Sequence, residues 1–209
     1  MALEGTPYGT TWPPHSPTQP PTEDARTYAL EAFREYLATI AFRRRGGQVF
    51  RIPKEQIPLE QPDSFENFRF PAIAILPGNV EFNWLASNDG LIESTKDEHG
   101  DGTVLLWRGE HIEDLTLEIW EDTIAGRRAI RAAIAEALAP IEETSALRLR
   151  LDSYFGLVAD FTQVSDQLID DIDTAKGRRR ALQVVRLAVP EVQLINYVTM
   201  QPVISVETT

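Results

Sequence analysis

At 209 residues, with 43% apolar and 25% charged side chains, the chain has the size and composition of one globular domain with appendages. No apolar run approaches the roughly 20 residues that a membrane helix needs, and the lack of cysteine excludes disulfides, thiolate metal sites and a thiol nucleophile. A formal net charge of −12 speaks against a general nucleic-acid binder, because affinity for phosphate backbones comes from Lys and Arg displacing condensed counterions.

The opening MALEGTPYGTTWPP has no basic region followed by an apolar one, so no secretory leader is predicted and the expected location is the cytoplasm. Residues 1–23 hold Pro7, Pro13, Pro14, Pro17, Pro20 and Pro21 among Thr, Ser and Gly, a composition that predicts an extended arm. Tyr8 and Trp12 are its apolar exceptions. Two readings stand for it: a loose terminus, or an arm whose aromatic residues anchor it on a neighbouring subunit.

From Asp24, a candidate cap, the apolar positions Ala29, Phe33, Tyr36, Leu37 and Ile40 recur at helical spacing and predict a helix with one buried stripe. The helix is expected to run to Arg43, Arg44 and Arg45, whose charge suits the negative end of its dipole, and to stop at Gly46-Gly47. A DNA contact is the alternative reading of that triple arginine. A short strand over Gln48–Ile52 and a loop punctuated by Pro53, Pro58 and Pro62 follow. Ala72–Leu76 is a continuous apolar run, the mark of a strand buried on both faces or of a core edge. Val80–Ala86 and Leu91–Lys96 flank the turn signal Asn88-Asp89-Gly90, and a further reversal at 99–102 leads into Thr103–Arg108, giving an antiparallel meander.

Gly109-Glu110 reads as a turn before a second strand in which Leu115, Leu117 and Ile119 alternate with Thr116, Glu118 and Trp120. Asp122 or Thr123 can cap the next helix, whose buried face is Ile130, Ala133, Ile134, Ala137, Leu138 and Ile141, with Arg127, Arg128 and Arg131 expected on the exposed side. Leu147, Leu149 and Leu151 alternate with Arg148 and Arg150 in a strand that puts a cation row on its open face. Residues 154–164 fit strand or helix, Ser165–Ala175 reads as a short helix, and Ala181–Val189, Val192–Val198 and Val203–Val206 read as strands broken by Pro190 and Pro202. These last strands complete a sheet in this subunit or in the next.

Chemical signatures are few. His15, His99 and His111 lack the i, i+4 partner of a helical zinc site, and the Glu98, His99, Asp101 group is more simply a turn than a cation site. The run Asp170-Asp171-Ile172-Asp173 has Ala175 and Lys176 where a calcium loop needs an oxygen ligand and a glycine. Arg178, Arg179 and Arg180 follow Gly177 without the spacing or hydroxyl of a phosphate-binding loop. No catalytic dyad can be singled out, so the expectation is a protein that is not an enzyme and takes no cofactor or metal.

An N-terminal amphipathic helix, a strand carrying Phe70-Pro71-Ala72-Ile73, a meander, an alternating strand running into an Ala-rich helix, and closing strands: this order resembles the tail terminator proteins of tailed bacteriophages, over roughly residues 24–139. That family shares an α/β fold with tail tube and head-tail joining proteins, and for this chain the element order predicts an α+β fold, with an antiparallel or mixed sheet packed against two main helices. The resemblance implies a hexameric ring that caps the tail tube, joins it to the head or neck, and contacts tail tube and neck proteins. Double-stranded DNA would pass its lumen without specific binding, in a virion component assembled in the host cytoplasm. On this reading 1–23 is an arm, 24–142 the core and 143–209 a strand-rich extension. The candidates for subunit contacts are Tyr8, Trp12, Arg127, Arg128, Arg131, Arg148, Arg150, Arg178, Arg179 and Arg180. Another neck, sheath-associated or baseplate component, or a protein-binding adaptor unrelated to phage, is the alternative.

Overall fold

Asp24 starts the first helix as its side chain predicts: a carboxylate oxygen accepts from the Thr27 amide at 2.7 Å, satisfying one of the orphan donors of α1 (Ala25–Thr39). The structure, a computed structural model, describes residues 23–43, 47–60, 69–84, 91–96, 102–139, 146–165, 171–173 and 178–197, with backbone alone at 91–96, 103, 171–173, 178–179 and 195–197. Ala25, Ala29, Phe33 and Leu37 fall on one buried stripe, while Tyr36 and Ile40 are only partly covered. The helix ends at Thr39, short of the expected arginines. Ile40 turns extended, and Phe42, fully buried, enters strand β1 (Phe42–Arg43), which pairs with β2 (Val49–Phe50) and brings the Phe42 and Phe50 rings to 5.5 Å. Burial of Phe42 overrides helix continuation, so Arg43 is a strand residue, and Arg44 and Arg45 lie outside the described residues.

The main sheet is built around two long antiparallel strands, β6 (Gly102–Trp120) and β10 (Arg178–Tyr197), each about 60 Å long at roughly 3.3 Å per residue. Along one side of β6 lie β3 (Ala72–Leu76), β4 (Val80–Trp84) and β5 (Leu91–Lys96). Along the far side of β10 lie β8 (Leu157–Ser165) and β9 (Asp171–Asp173), and β7 (Leu147–Leu151) pairs with β8 as an outer strand. The result is a curled antiparallel sheet with two helices against it, an α+β fold.

Three sequence readings are corrected. Gly109-Glu110 is no turn: β6 continues through it, with Gly109 at φ +153°, where a Cβ would come within 2.2 Å of the Asn83 carbonyl oxygen. Pro190 does not break β10, because the register shifts at Glu191/Val192 immediately beyond it, and a bulge is a place where a strand tolerates proline. Within the expected helix over 165–175, the described residues are strand: Ser165 ends β8, and Asp171–Asp173 form the short β9. The ambiguous stretch 154–164 resolves as a tight turn, with Phe155 at φ +54° and Gly156 at φ +67°, feeding β8. Strands after residue 143 complete the sheet within this chain, the central β10 among them.

One face of the sheet carries Ile73, Ile75, Leu115, Leu117, Ile119, Val185, Leu187 and Phe161, all buried. Both helices cover this face: Phe33 of α1 stacks on Phe161 with ring centroids 4.3 Å apart and planes 13° apart. Helix α2 (Ile124–Ala137), capped by the Thr123 hydroxyl accepting from Gly126 at 3.0 Å, contributes Ile130 and Ile134. The Tyr36 hydroxyl donates to the Ala137 carbonyl at 3.3 Å and ties the helices together. Each buried Phe or Ile contributes about 1.5–3 kcal/mol, so the layered face dominates stability.

Candidate functional site

The proposed contact residues sort into groups that the fold separates. Tyr8 and Trp12 lie outside the described residues. Arg127 and Arg131, expected to be exposed, are buried at 1% and 6% exposure, and only Arg128 of the three reaches the surface. Positions 127, 130, 131, 134 and 138 share one helical stripe at i, i+3, i+4, i+7 and i+11, so the arginines lie beside the isoleucines that bury the helix. Arg127 is anchored there by donating from Nη1 to the Glu121 carbonyl at 2.7 Å. It therefore fastens the start of α2 to the end of β6.

The remaining arginines occupy the sheet. Arg148 and Arg150 project from β7 with side chains about half exposed, Arg148 lying 3.4 Å from Asp160 and Arg150 2.8 Å from Asp152. Arg178 and Arg179 pair by backbone register with Asp173 and Ile172 of β9. Arg180 forms an ion pair with Glu118 and lies 6.0 Å over the Trp120 ring. Arg186 grips Asp114 through two bonds at 2.8 and 3.1 Å. These pairs lie on the sheet face opposite the helices, because Trp120, Glu118 and Asp114 alternate with the buried Ile119, Leu117 and Leu115.

Where β4, β6 and β10 run past the N-terminus of α1, the helix-covered face opens into a cleft of about 500 Å³ lined by Asp24, Arg26, Phe82, Trp84, Arg108, His111, Glu191, Val192 and Gln193. Two of its lining residues, Arg26 and His111, meet the fully buried Glu113, whose carboxylate accepts from Arg26 Nε at 2.5 Å and Nη2 at 2.9 Å, with His111 Nε2 at 3.5 Å. Burial alone would raise the Glu113 pKa, but hydrogen bonds from His111 and Arg26 and the Arg26 charge outweigh it and hold it down at about 2. Glu191 moves the other way, raised by burial and then by the neighbouring Asp24 carboxylate. Burial likewise pushes the Tyr154 hydroxyl up, helped by Glu191.

The rim is aromatic and exposed. Trp84 is 69% exposed and Val80 54%, the Phe82 and Trp84 rings are 4.3 Å apart, and the Arg108 guanidinium lies 6.0 Å over Trp84. Among the described residues, none lining the cleft is Ser, Thr, Cys or Lys, and no group of three metal-ligating side chains occurs. The Glu98, His99, Asp101 group, read as a turn rather than a cation site, lies outside the described residues. Such a surface is suited to packing against a protein partner: a buried, satisfied ion pair fixes the geometry beneath, while an aromatic patch above supplies contact area.

Sequence reasoning missed this site. Its signals were present in the alternation Val80, Phe82, Trp84, an apolar row along one strand, and in His111 and Glu113, polar residues on the same face as Leu115 and Leu117. No protein-family model matches the chain, and no curated protein matches it either.

Proposed function

We propose that this chain is a structural subunit of a phage tail, the terminator that assembles as a ring, closes the tail tube and joins it to the head or neck. The observation that carries this reading is the edge strand β4, which presents Val80 and Trp84 to solvent at 54% and 69% exposure while pairing, among the described residues, with β6 alone. An apolar strand edge is a liability in an isolated protein and an asset in one that assembles. The resemblance in element order supplies the kind of assembly. A net charge of −12 per subunit suits a ring through which DNA slides without being held.

On this reading the two helices and their core make the rigid body, and function resides in what its edges and open face contact. Tail tube and neck proteins would stack on it. The exposed rim of the cleft favours a second reading, a protein-binding adaptor that works as a monomer. Native mass spectrometry with negative-stain imaging separates the two. The expected result is a closed ring, hexameric by the resemblance, and a strict monomer at micromolar concentration refutes the terminator in favour of the adaptor.

A further inference from the structure

Resting on the ring reading, we infer that neighbouring subunits join edge to edge, with β7 of one copy pairing in parallel with β4 of the next. The two outer strands match residue by residue. A cross-strand row can be followed through the whole sheet by its register: Glu81 opposite Ile112, Ile112 opposite Ala188, Ala188 opposite Asp160, and Asp160 opposite Arg148. The adjacent row runs Val80, Glu113, Leu187, Phe161, Leu147. Continuing each row into a second copy therefore sets Arg148 beside Glu81 and Leu147 beside Val80. The strand Leu-Arg-Leu-Arg-Leu meets Val-Glu-Phe-Asn-Trp with apolar side chains together on the helix-covered face and an acid opposite a base on the other.

Direction is also fixed. The path β4, β6, β10, β8, β7 contains five strands, each antiparallel to the last, so its two edges run the same way. Repeating the subunit head to tail with the helices on a common side preserves strand direction and makes the new pair parallel. A heterologous contact of this type closes into a ring when the rotation per subunit divides a full turn. Among the described residues β7 pairs only with β8, and Leu147 and Leu149 are only partly covered. By contrast, part of the β3 edge is already occupied, since the Ile75 amide donates to the Pro58 carbonyl at 2.9 Å. On that side β4 carries the exposed Val80 and Trp84 in register with β7, which makes it the edge that a second copy would cover.

The absence of native cysteine makes the test direct. In the full-length chain carrying Glu81→Cys and Arg148→Cys, mild oxidation is expected to give a ladder from dimer to closed ring on a denaturing gel. Within one chain the two positions are four strand spacings apart, about 19 Å, far beyond the reach of a disulfide. Efficient cross-linking of Glu81→Cys alone into dimers would overturn the inference in favour of β4 pairing with β4. A ring by native mass spectrometry that fails to cross-link removes this edge pairing and leaves the ring reading standing, whereas a monomer removes both. As an independent readout, Trp84→Glu, a change at an exposed side chain, is expected to weaken self-association at least about tenfold with unchanged circular dichroism. Unchanged self-association in that variant also counts against the pairing.

Discussion

Replacing Glu113 by Gln tests the ion pair beneath the cleft through its pH dependence. Glu113 is fully buried and its pKa is held at about 2, against 4.5 for an ordinary glutamate. A depressed carboxylate stabilises the fold above its unfolded pKa and loses that contribution as pH falls through the folded value. Two and a half units correspond to about 3 kcal/mol, fully present above about pH 5.5. By pH 3 about 2 kcal/mol of it is gone. At neutral pH, Glu113→Gln leaves Arg26 without its carboxylate, but Arg26 is 30% exposed and can rehydrate, which puts the loss at the low end of the range for broken buried pairs, about 3 kcal/mol. Urea denaturation of both proteins at pH 7 and pH 3 is the assay. Other carboxylates titrate equally in both proteins and cancel, so the gap between them should narrow by about 2 kcal/mol on acidification. A gap that stays constant with pH would refute the assignment of the pair as charged and coupled.

Two further changes probe the sheet. Gln183 is fully buried on the core face with neither its side-chain nitrogen nor its oxygen hydrogen-bonded. Gln183→Leu removes that desolvated amide and is expected to raise stability by about 1–2 kcal/mol in urea unfolding, whereas a loss would mean that the amide has a partner such as bound water. Gly109→Ala forces a Cβ to within 2.2 Å of the Asn83 oxygen at φ +153°. It should destabilise by about 1–3 kcal/mol and speed amide exchange across Val80–Trp84. A melting curve superimposable on the wild type would show that β4 does not depend on this close approach.

The sequence carried the elements well where period and capping agreed. Asp24 and Thr123 cap the helices, Ala72–Leu76 is a buried strand, and Leu147–Leu151 alternates as its pattern says. It failed where local signals compete with long-range pairing. Gly109 and Pro190 are turn and breaker residues by composition, yet each is absorbed at an irregularity of a strand pair 18 rows long. That register comes from the whole pair, and a short window cannot express it. Arg127 and Arg131 were misplaced because charge was weighed above spacing, although their positions on the Ile130–Ile134 stripe were legible. The cleft was harder to foresee: Arg26 and Glu113 are 87 residues apart in sequence, and only the packing of α1 on the sheet brings them together.

Charge and edge chemistry meet in one requirement. A chain with Val80 and Trp84 exposed on a strand edge is prone to indiscriminate pairing, since backbone hydrogen bonding at an edge is indifferent to sequence. A net charge of −12 opposes that, because any two copies approaching at random repel each other over about a Debye length, roughly 10 Å at 0.1 M salt. Only an approach that brings a basic row against an acidic one escapes the repulsion at short range, and the half-exposed Arg148 and Arg150 on β7 form such a row. Glu81 lies in line with Arg148 at the opposite edge of the sheet. In the proposed edge pairing the acidic bulk of the molecule would act as the selector and the arginines of β7 as the exception it admits, with specificity in the charge pattern and affinity in the apolar row beneath it.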